Sequence, residues 1–288
     1  MKKRQLKRRY KILIVVSIIL ISLLLWSRYV STQGIIIREY KVTKENLPAG
    51  FHGLKIVHIT DIHYGRTIKK RELNKLVKEI NILEPDIVVF TGDLIDKDIP
   101  LTNEIRKDII GSLNKIKALY GKYAISGNHD FYFSSYKEIL IESNFIDIDN
   151  SYDIIYNNNY EPLFIGGLES EIRGKPDIKK VMDYFEPSDN DEAANIEYKI
   201  LLMHTPDTFT TIKKYNFDLV LAGHSHNGQI RLPLVGKILT PPGAKKYYDP
   251  YYKIKDTDFY ISGGLGTSVI NFRLFNRPSF NLYRLTKK

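Results

Sequence analysis

The sequence contains no cysteine in its 288 residues, which excludes disulfide bonds and thiolate metal ligands. Any metal ion bound by this chain must therefore be held by His, Asp, Asn or Glu side chains. Long apolar runs are also scarce, and a single one, residues 12–26, lies near the N-terminus with two serines inside it. With 43% apolar residues the composition argues against disorder, and the length is sufficient for one large domain or two small ones.

Beyond its first eleven residues, the chain has almost no excess of basic over acidic residues. The formal net charge is +10, but seven of the 43 Lys and Arg residues lie in the first eleven positions, where there is no Asp or Glu. The remainder has 36 basic against 33 acidic residues. A nucleic-acid-binding protein is expected to carry its basic residues across the body. The charge therefore argues against nucleic acid as a partner and indicates a targeting segment.

The apolar run is short for a membrane span. Its fifteen residues fall below the roughly 17 to 25 that cross a bilayer core, so it spans only if Tyr10, Lys11 and Arg28 extend toward the interfaces. A cleaved signal peptide has the same layout, but no small-residue cleavage site follows Trp26. We therefore expect an uncleaved transmembrane signal anchor.

The distribution of charge around this anchor predicts its orientation. Seven positive charges precede the apolar run, and Arg28 and Arg38 follow it. Positive charge stays on the cytoplasmic side, so the body is expected on the extracytoplasmic side of the cell membrane. The predicted organisation is a basic cytoplasmic tail (1–11), a signal anchor (12–30) and a single globular domain (34–288).

The rest of the chain alternates between short Ile- and Val-rich runs and longer segments with helical spacing, which predicts a layered α/β domain. The acidic segment 187–194 is predicted to be an exposed loop, and the tyrosine-rich segment 247–255 an exposed packing loop. The predicted strands are 35–42, 54–59, 87–90, 123–125, 163–165, 199–203, 219–221, 259–261 and 280–285, and the predicted helices are 69–83, 103–118, 134–143, 178–185 and 208–215.

Polar side chains follow five of these strands directly. In an α/β sheet the carboxyl ends of the strands line one crevice, so residues far apart in sequence are expected to converge there. Glycines before several of them allow the chain to turn sharply. The residues are Asp61 and His63, Gly92 and Asp93, Gly127 to Asp130, His204, and Gly223 to His226.

Carboxylate, imidazole and amide ligands without thiolate suit divalent Mn, Fe or Zn. Residues two apart in an extended segment face the same side, so the two side chains of each pair, Asp61/His63 and His224/His226, can coordinate one ion. With two ions one carboxylate must bridge, and Asp93 is the best placed. The predicted ligands are Asp61, His63, Asp93 and His226 for one ion and Asp93, Asn128, His204 and His224 for the other.

Such a centre is suited to hydrolysis. Two ions roughly 3.5 to 4 Å apart would activate a bridging hydroxide and clamp the attacking and leaving oxygens of an in-line phosphoryl displacement. His129 adjoins a ligand without being needed as one. We expect it to contact the phosphoryl or leaving oxygen, with Asp130 as its orienting partner.

The ordered series DxH, GD, GNHD, a lone His and GHSH resembles the calcineurin-like metallophosphoesterases from about Leu54 to the C-terminus. The resemblance implies a four-layer fold, a β-sandwich flanked by helices, with a dinuclear centre that hydrolyses phosphoester or pyrophosphate bonds. The segments GHSHNGQIRLP and ISGGLGTS further resemble the membrane-anchored bacterial branch, which includes UDP-diacylglucosamine hydrolases. The implied substrate is a phosphorylated small molecule or a lipid-linked compound.

Two other functions remain open at this point: a catalytically silent binding module with the same fold, and a nuclease-type phosphodiesterase. Two histidines outside the motifs, His52 and His58, are interpreted as structural. The glycine-rich segment 263–268 lacks the ending of a phosphate-binding loop and is predicted to be a tight turn near the site.

Overall fold

The structure, a computed structural model, describes residues 2–186 and 196–288. The predicted acidic loop 187–194 lies outside the described residues. Two six-stranded sheets, here called the first and second sheet, form the centre of the body. Helices cover both outer faces, so the predicted four-layer α/β architecture is confirmed.

The first sheet has the strand order β1-β14-β2-β3-β4-β5. Its neighbours are parallel except β14 and β2, which are antiparallel. The strands are β1 (Ile36–Lys44), β2 (Lys55–Ile59), β3 (Ile87–Phe90), β4 (Gly121–Ala124), β5 (Ile146–Asp147) and β14 (Ser279–Lys287).

The second sheet has the order β12-β13-β9-β8-β7-β6, with a parallel centre and an antiparallel pair at each edge. A small hairpin of β10 (Arg231–Leu232) and β11 (Gly236–Lys237) stands apart from both sheets. The strands of the second sheet are β6 (Ser151–Tyr156), β7 (Pro162–Gly167), β8 (Lys199–Leu202), β9 (Leu219–Ala222), β12 (Tyr251–Ile254) and β13 (Thr257–Ile261).

Alternation along each strand divides the core into layers. In β3, Ile87 and Val89 pack between the two sheets, whereas Val88 and Phe90 pack beneath the helices of the first sheet. This is the two-residue period of a strand that is buried on both faces. The helices are α2 (Lys70–Ile82), α3 (Asn103–Leu113) and α4 (Tyr136–Glu142) over the first sheet, and α5 (Ile178–Met182) and α6 (Phe209–Ile212) over the second.

Three predicted helices differ from the structure. The helix predicted for 178–185 ends at Met182 and is followed by a 3₁₀ turn, Asp183–Phe185. The helix predicted for 103–118 ends at Leu113, where the ammonium of Lys122 from β4 binds the Leu113 carbonyl oxygen. The helix predicted for 208–215 is a single α-helical turn, α6, between two 3₁₀ turns, Pro206–Thr208 and Lys213–Tyr215. Local spacing predicted the apolar face, but it did not predict how tightly the backbone is wound.

The chain begins with a long helix, α1 (Lys2–Leu25), which continues into a π-helical turn, Trp26–Val30. The stretch Lys7–Val30 is long and apolar enough to cross a membrane. Its 24 residues would measure about 36 Å as a straight α-helix, which exceeds the thickness of a bilayer core. The apolar side chains from Ile12 to Leu25 are exposed to solvent and do not pack on the body.

Candidate metal centre

The candidate centre lies where β2, β3 and β4 of the first sheet and β8 and β9 of the second sheet end. The sheets stack with these carboxyl ends at one edge, and the predicted strand-end residues meet there. Two of the turns touch through their backbones: a Cβ on Gly92 would lie 2.1 Å from the amide nitrogen of Gly127. Both positions therefore require glycine for close approach.

Five of the seven predicted ligands have a left-handed backbone, with φ between 43° and 62°. This conformation is uncommon outside glycine and persists where the surrounding structure enforces it, typically at functional sites. It turns each side chain off its strand and into the crevice. The five residues are Asp61, His63, Asp93, His224 and His226.

The first cluster consists of Asp61, His63 and His226, all buried. The Nε2 atoms of the two histidines are 3.3 Å apart, and Asp61 Oδ1 lies 3.8 Å from His63 Nε2 and 3.5 Å from His226 Nε2. Among the described residues Asp61 Oδ1 has no hydrogen-bond partner. Tetrahedral ligand atoms at 2.0 to 2.1 Å from zinc are about 3.4 Å from one another, so these three atoms fit a divalent ion.

The second cluster consists of Asp93, Asn128, His204 and His224. His204 Nε2 lies 3.4 Å from Asp93 Oδ2 and 3.2 Å from Asn128 Oδ1. The other nitrogen, His204 Nδ1, donates to the carbonyl oxygen of Thr91 at 2.6 Å. This bond fixes the tautomer and leaves Nε2 as the ligand atom.

His224 is held in the opposite way. Its Nε2 donates to the carbonyl oxygen of Pro242 at 2.7 Å, so Nδ1 is left as the atom that can bind an ion. The backbone amide of His224 donates to Asp61 Oδ2 at 2.9 Å. Asp61 of the first cluster therefore positions a residue of the second.

Asp93 lies between the two clusters. Its Oδ2 is 3.6 Å from His63 Nε2 and 3.4 Å from His204 Nε2, while its Oδ1 accepts from the backbone amide of His129 at 2.7 Å. One carboxylate oxygen thus faces a ligand imidazole of each cluster. This is the position that a bridging ligand requires.

Asp96 is a site residue that the sequence reasoning missed. It is fully buried, and its Oδ2 lies 3.5 Å from His63 Nδ1 and 2.6 Å from Arg66 Nε. A carboxylate on the outer nitrogen of a ligand histidine fixes the ring and increases its basicity. The run from Asp93 to Asp96, two acids around two apolar residues, was the available signal, but an acid in a loop is usually solvated.

Arg273 was missed as well, and no local pattern marks it. Its buried guanidinium donates to the carbonyl oxygens of Gly263 and Gly264 at 2.9 and 3.1 Å and lies 3.3 Å from His226 Nδ1. Gly264 has φ +67°, and a Cβ there would lie 2.8 Å from Asp61 Cβ. The glycine-rich segment is therefore a turn packed behind the first cluster, as predicted.

The predicted pairing of His129 with Asp130 is wrong. The Asp130 carboxylate accepts from the backbone amides of Asp93, Leu94 and Gly127 at 2.7, 2.9 and 2.8 Å. Burial and the charge of Asp93 raise the pKa of Asp130 to about 7. Asp130 thus holds the backbone around Asp93, and the carboxylate near the His129 ring is Asp96, whose Oδ2 lies 3.7 Å from His129 Nδ1.

His129 itself has a defined tautomer. Its Nδ1 accepts from the backbone amide of Lys97 at 3.1 Å, so Nε2 carries the proton of the neutral ring. Burial lowers the pKa of His129, which favours that neutral ring. The side chain can therefore donate one hydrogen bond from Nε2.

Each cluster contains one histidine with a raised pKa and one with a lowered pKa. Burial lowers the pKa of His63, but the neighbouring carboxylates of Asp61 and Asp96 outweigh it and raise the pKa to about 10. In the second cluster the charge of Asp93 outweighs burial and raises the pKa of His204 to about 9. Burial lowers the pKa of His226 to about 3 and that of His224 to about 4. The carboxylates thus attract one positive charge per cluster, which a divalent ion would replace.

His58 is structural, as predicted, whereas the tyrosine-rich segment, predicted to be an exposed packing loop, places Tyr247 in the core and forms β12. His58 is buried, with its Nε2 2.8 Å from Thr91 Oγ1. In the tyrosine-rich segment, Tyr247 packs edge-on against Phe209 and Phe259 in the core of the second sheet.

The sequence model of the calcineurin-like phosphoesterase family matches residues 54–228. The chain is 31% identical over 263 residues to YkuE of Bacillus subtilis (strain 168), described as an uncharacterized metallophosphoesterase, with 90% of this chain and 88% of that protein aligned. It is 31% identical over 229 residues to the UDP-2,3-diacylglucosamine pyrophosphatase LpxG of Chlamydia trachomatis, covering 65% and 69% of the two chains. It is 26% identical to a Bos taurus transmembrane protein with metallophosphoesterase domain, covering 82% of this chain and 54% of that protein.

Proposed function

The chain belongs to the calcineurin-like phosphoesterase family, and we propose that it is a membrane-anchored hydrolase of phosphoester or pyrophosphate bonds that uses two divalent ions. Members of the family bind divalent metals, and the two clusters described above offer the ligands. The donor set of carboxylate, imidazole and amide oxygen is suited to Mn, Fe or Zn.

The position of Asp93 carries this proposal. In a structural ion pair, one carboxylate faces one cation. Asp93 Oδ2 instead faces an imidazole nitrogen of each cluster, at 3.6 Å from His63 Nε2 and 3.4 Å from His204 Nε2. Asp93 would therefore contribute its charge to an ion held in either cluster. Bound there, the ions would acidify a shared water and neutralise charge on the phosphoryl oxygens.

The chain's own residues then hold and orient the substrate. Asn128 follows β4 and presents Oδ1 3.2 Å from His204 Nε2, so its side chain faces the second cluster. His129 is next in sequence and can donate from Nε2 to a phosphoryl or leaving oxygen. Nδ1 accepts from the Lys97 amide, so the ring is neutral and carries its one proton on Nε2. This supports a role for His129 as a hydrogen-bond donor to developing negative charge rather than as a proton donor.

The substrate proposed is a phosphorylated small molecule or a lipid-linked phosphate compound. The similarity to LpxG, described as a UDP-2,3-diacylglucosamine pyrophosphatase, supports testing pyrophosphate bonds next to a nucleoside or a lipid. Nucleic acid is disfavoured because the chain beyond the first eleven residues has only three more basic than acidic residues.

Hydrolysis by the purified full-length protein in detergent tests the activity. We expect it to cleave nitrophenyl phosphodiesters or a UDP-linked sugar, to lose activity after chelation and to regain it with Mn or Zn. Asp93→Asn, purified in parallel, controls for contaminating hydrolases. Metal binding without turnover on any substrate would indicate a silent binding module, and faster cleavage of single-stranded nucleic acid than of every small substrate would indicate a nuclease.

The proposed topology is a cytoplasmic tail 1–11, a span at 12–30 and an extracytoplasmic catalytic domain 34–288. Protease added to intact spheroplasts is expected to degrade the domain and leave the tail. The mature protein is expected to retain its N-terminal segment, which peptide mapping checks. A protected domain contradicts the orientation, and a mature N-terminus after Trp26 contradicts the anchor.

A further inference from the structure

Two loops near the end of the N-terminal helix expose large apolar side chains. One is the β10–β11 hairpin with the residues after it, and the other is the segment that precedes β14. We call their exposed side chains the apolar rim: Leu234, Val235, Leu239, Val269, Ile270 and Phe275. Leu234 is fully exposed, and the others are between 46% and 81% exposed. Apolar side chains clustered in this way mark an interaction surface.

Hydrogen bonds join the two loops into one surface. The amide of Arg231 in β10 donates to the carbonyl oxygen of Leu274 at 2.9 Å. The side chain of Gln229 spans the same gap, because its Oε1 accepts from the amide of Ser268 at 3.0 Å and its Nε2 donates to the carbonyl oxygen of Ile270 at 2.8 Å. The hairpin and the second loop are therefore neighbours through their backbones.

This surface is bonded to the end of the membrane-spanning helix. The amide of Arg273 donates to the carbonyl oxygen of Ser27 at 3.0 Å, and Ser27 Oγ donates to the carbonyl oxygen of Arg273 at 2.9 Å. Ser27 is buried by this contact, whereas its neighbours Trp26 and Tyr29 are exposed. The pair of bonds fixes the second loop against the helix.

The same contact sets the height of the loops relative to a bilayer. Trp and Tyr at the end of a span lie at the membrane interface, so Trp26 and Tyr29 mark that level. Arg273 is bonded to the residue between them. Ile270 and Phe275 are three and two residues away from Arg273, which limits their Cα atoms to about 11 and 7 Å from it. These side chains therefore lie within reach of the headgroup layer.

The charges around the rim match a phospholipid surface. Arg28 follows the contact residue Ser27 directly, Lys237 lies in the hairpin, and the Arg277 guanidinium donates to the carbonyl oxygen of Gln33 just beyond the span. Apolar tips flanked by basic side chains are the pattern of segments that insert at an interface containing anionic lipid.

We propose that the apolar rim is a membrane-docking surface, with Leu234 and Phe275 inserted among the phospholipids of the bilayer that the N-terminal helix crosses. This inference rests on the proposed anchor. Arg273 links the rim to the candidate centre, because its guanidinium lies 3.3 Å from His226 Nδ1 while its backbone binds Ser27. The docked body holds the metal centre close to the headgroups, where the phosphate of a membrane-resident substrate lies.

The absence of cysteine makes a direct test possible. Leu234→Cys and Phe275→Cys place a single environment-sensitive fluorophore on the rim of the full-length protein. Ile82→Cys and Tyr160→Cys are matched controls, because both side chains are exposed and lie at the amino ends of the strands, opposite the centre. The labelled proteins are reconstituted in nanodiscs of phosphatidylcholine and phosphatidylglycerol, one protein per disc.

We expect the two rim labels to be quenched several-fold more strongly by a nitroxide carried on the lipid headgroup region than the two control labels, and to be shielded from aqueous iodide. Rim labels that iodide quenches as strongly as the controls would overturn the inference. Labels shielded from iodide but not quenched by lipid nitroxide would also overturn the inference, because they would indicate that the apolar rim is buried against protein. Release of the unlabelled chain from membranes by alkaline carbonate would overturn the anchor and this inference together, so the two failures are distinguishable.

Discussion

The two halves of the candidate centre have similar ligands but different supports. In the first cluster, charged side chains lie behind the histidines: Asp96 behind His63 and Arg273 behind His226. In the second cluster, backbone carbonyl oxygens take that place, from Thr91 behind His204 and from Pro242 behind His224. A carbonyl fixes a tautomer without adding a formal charge, whereas a carboxylate or a guanidinium also changes the local field.

This difference has a consequence for mutational sensitivity. Side-chain supports can be removed by substitution, but backbone carbonyls cannot. We therefore expect substitution of Asp96 or Arg273 to weaken metal binding in the first cluster selectively. In the second cluster, metal binding should be weakened mainly by substitution of the ligands themselves. The bridging position of Asp93 is where the two halves should respond together.

The largest effect is expected for Asp93→Asn. Loss of the shared charge should weaken both ions and reduce turnover to background, because Asp93 Oδ2 faces both clusters. Metal analysis after dialysis measures this, with Asp61→Asn as the matched variant that is expected to lose the ion of the first cluster. Two retained ions with normal turnover in Asp93→Asn would contradict the bridging assignment.

His129→Ala should come next, with turnover reduced roughly 10²- to 10³-fold, the usual cost of removing one donor to developing negative charge. Metal content should stay normal, because His129 is in neither proposed ligand set and its Nδ1 is occupied by the amide of Lys97. Similar losses on alkyl and nitrophenyl phosphodiesters are expected for a hydrogen-bond donor. A much larger loss on the alkyl substrate would instead assign proton delivery to His129, and loss of an ion would make it a ligand.

Asp96→Asn should weaken the ion of the first cluster by roughly 10- to 100-fold, the range found for residues behind a ligand histidine. Asp98→Asn is the matched control: Asp98 also pairs with Arg66, at 2.6 Å, but it is exposed and has no contact with His63 in the described residues. Titration with Mn or Zn separates the two sites. Equal weakening of both ions would show that the clusters do not have independent supports.

The smallest effect is expected from pH. The pKa values of His63 and His204 are raised to about 10 and 9, so in the ion-free protein both rings hold a proton at neutral pH, and an ion must displace it. Each ion should therefore release about one proton, and its affinity should fall about tenfold per pH unit as the pH is lowered. Above about pH 9 to 10 the dependence should disappear. Calorimetry in buffers of different ionisation enthalpy measures the protons, and a pH-independent affinity would contradict this assignment.

Much of the fold could be predicted from the sequence, because each of the nine predicted strands coincides with a strand, and all of these strands except β1 are largely buried. The strands that were missed lie at edges or outside the sheets. In β6, β12 and the β10–β11 hairpin, Ile155 is the one buried residue, so no run of buried apolar residues marks these strands in the sequence. These segments are extended because a neighbouring strand pairs with them, which is a tertiary condition.

In the centre, the seven ligand candidates could be predicted because each follows a buried strand within a few residues. The supports could not. Asp96 and Arg273 resemble ordinary loop residues in sequence, and their burial depends on His63, Arg66 and the glycine-rich turn lying beside them. The wrong pairing of His129 with Asp130 has the same origin, since adjacency in sequence does not specify which groups a side chain faces.

The sequence by itself determined which residue types end the buried strands and that an apolar helix precedes the body, because strand periodicity, glycine turns and hydrophobic runs are local properties. Tertiary structure alone decided that Asp61 meets His226 and that Asp93 lies between the two clusters. It also decided which nitrogen His204 and His224 present and that Ser27 is bonded to Arg273. These contacts depend on sheet order, on the stacking of the two sheets and on buried polar groups finding partners, and none of these is encoded within a single segment.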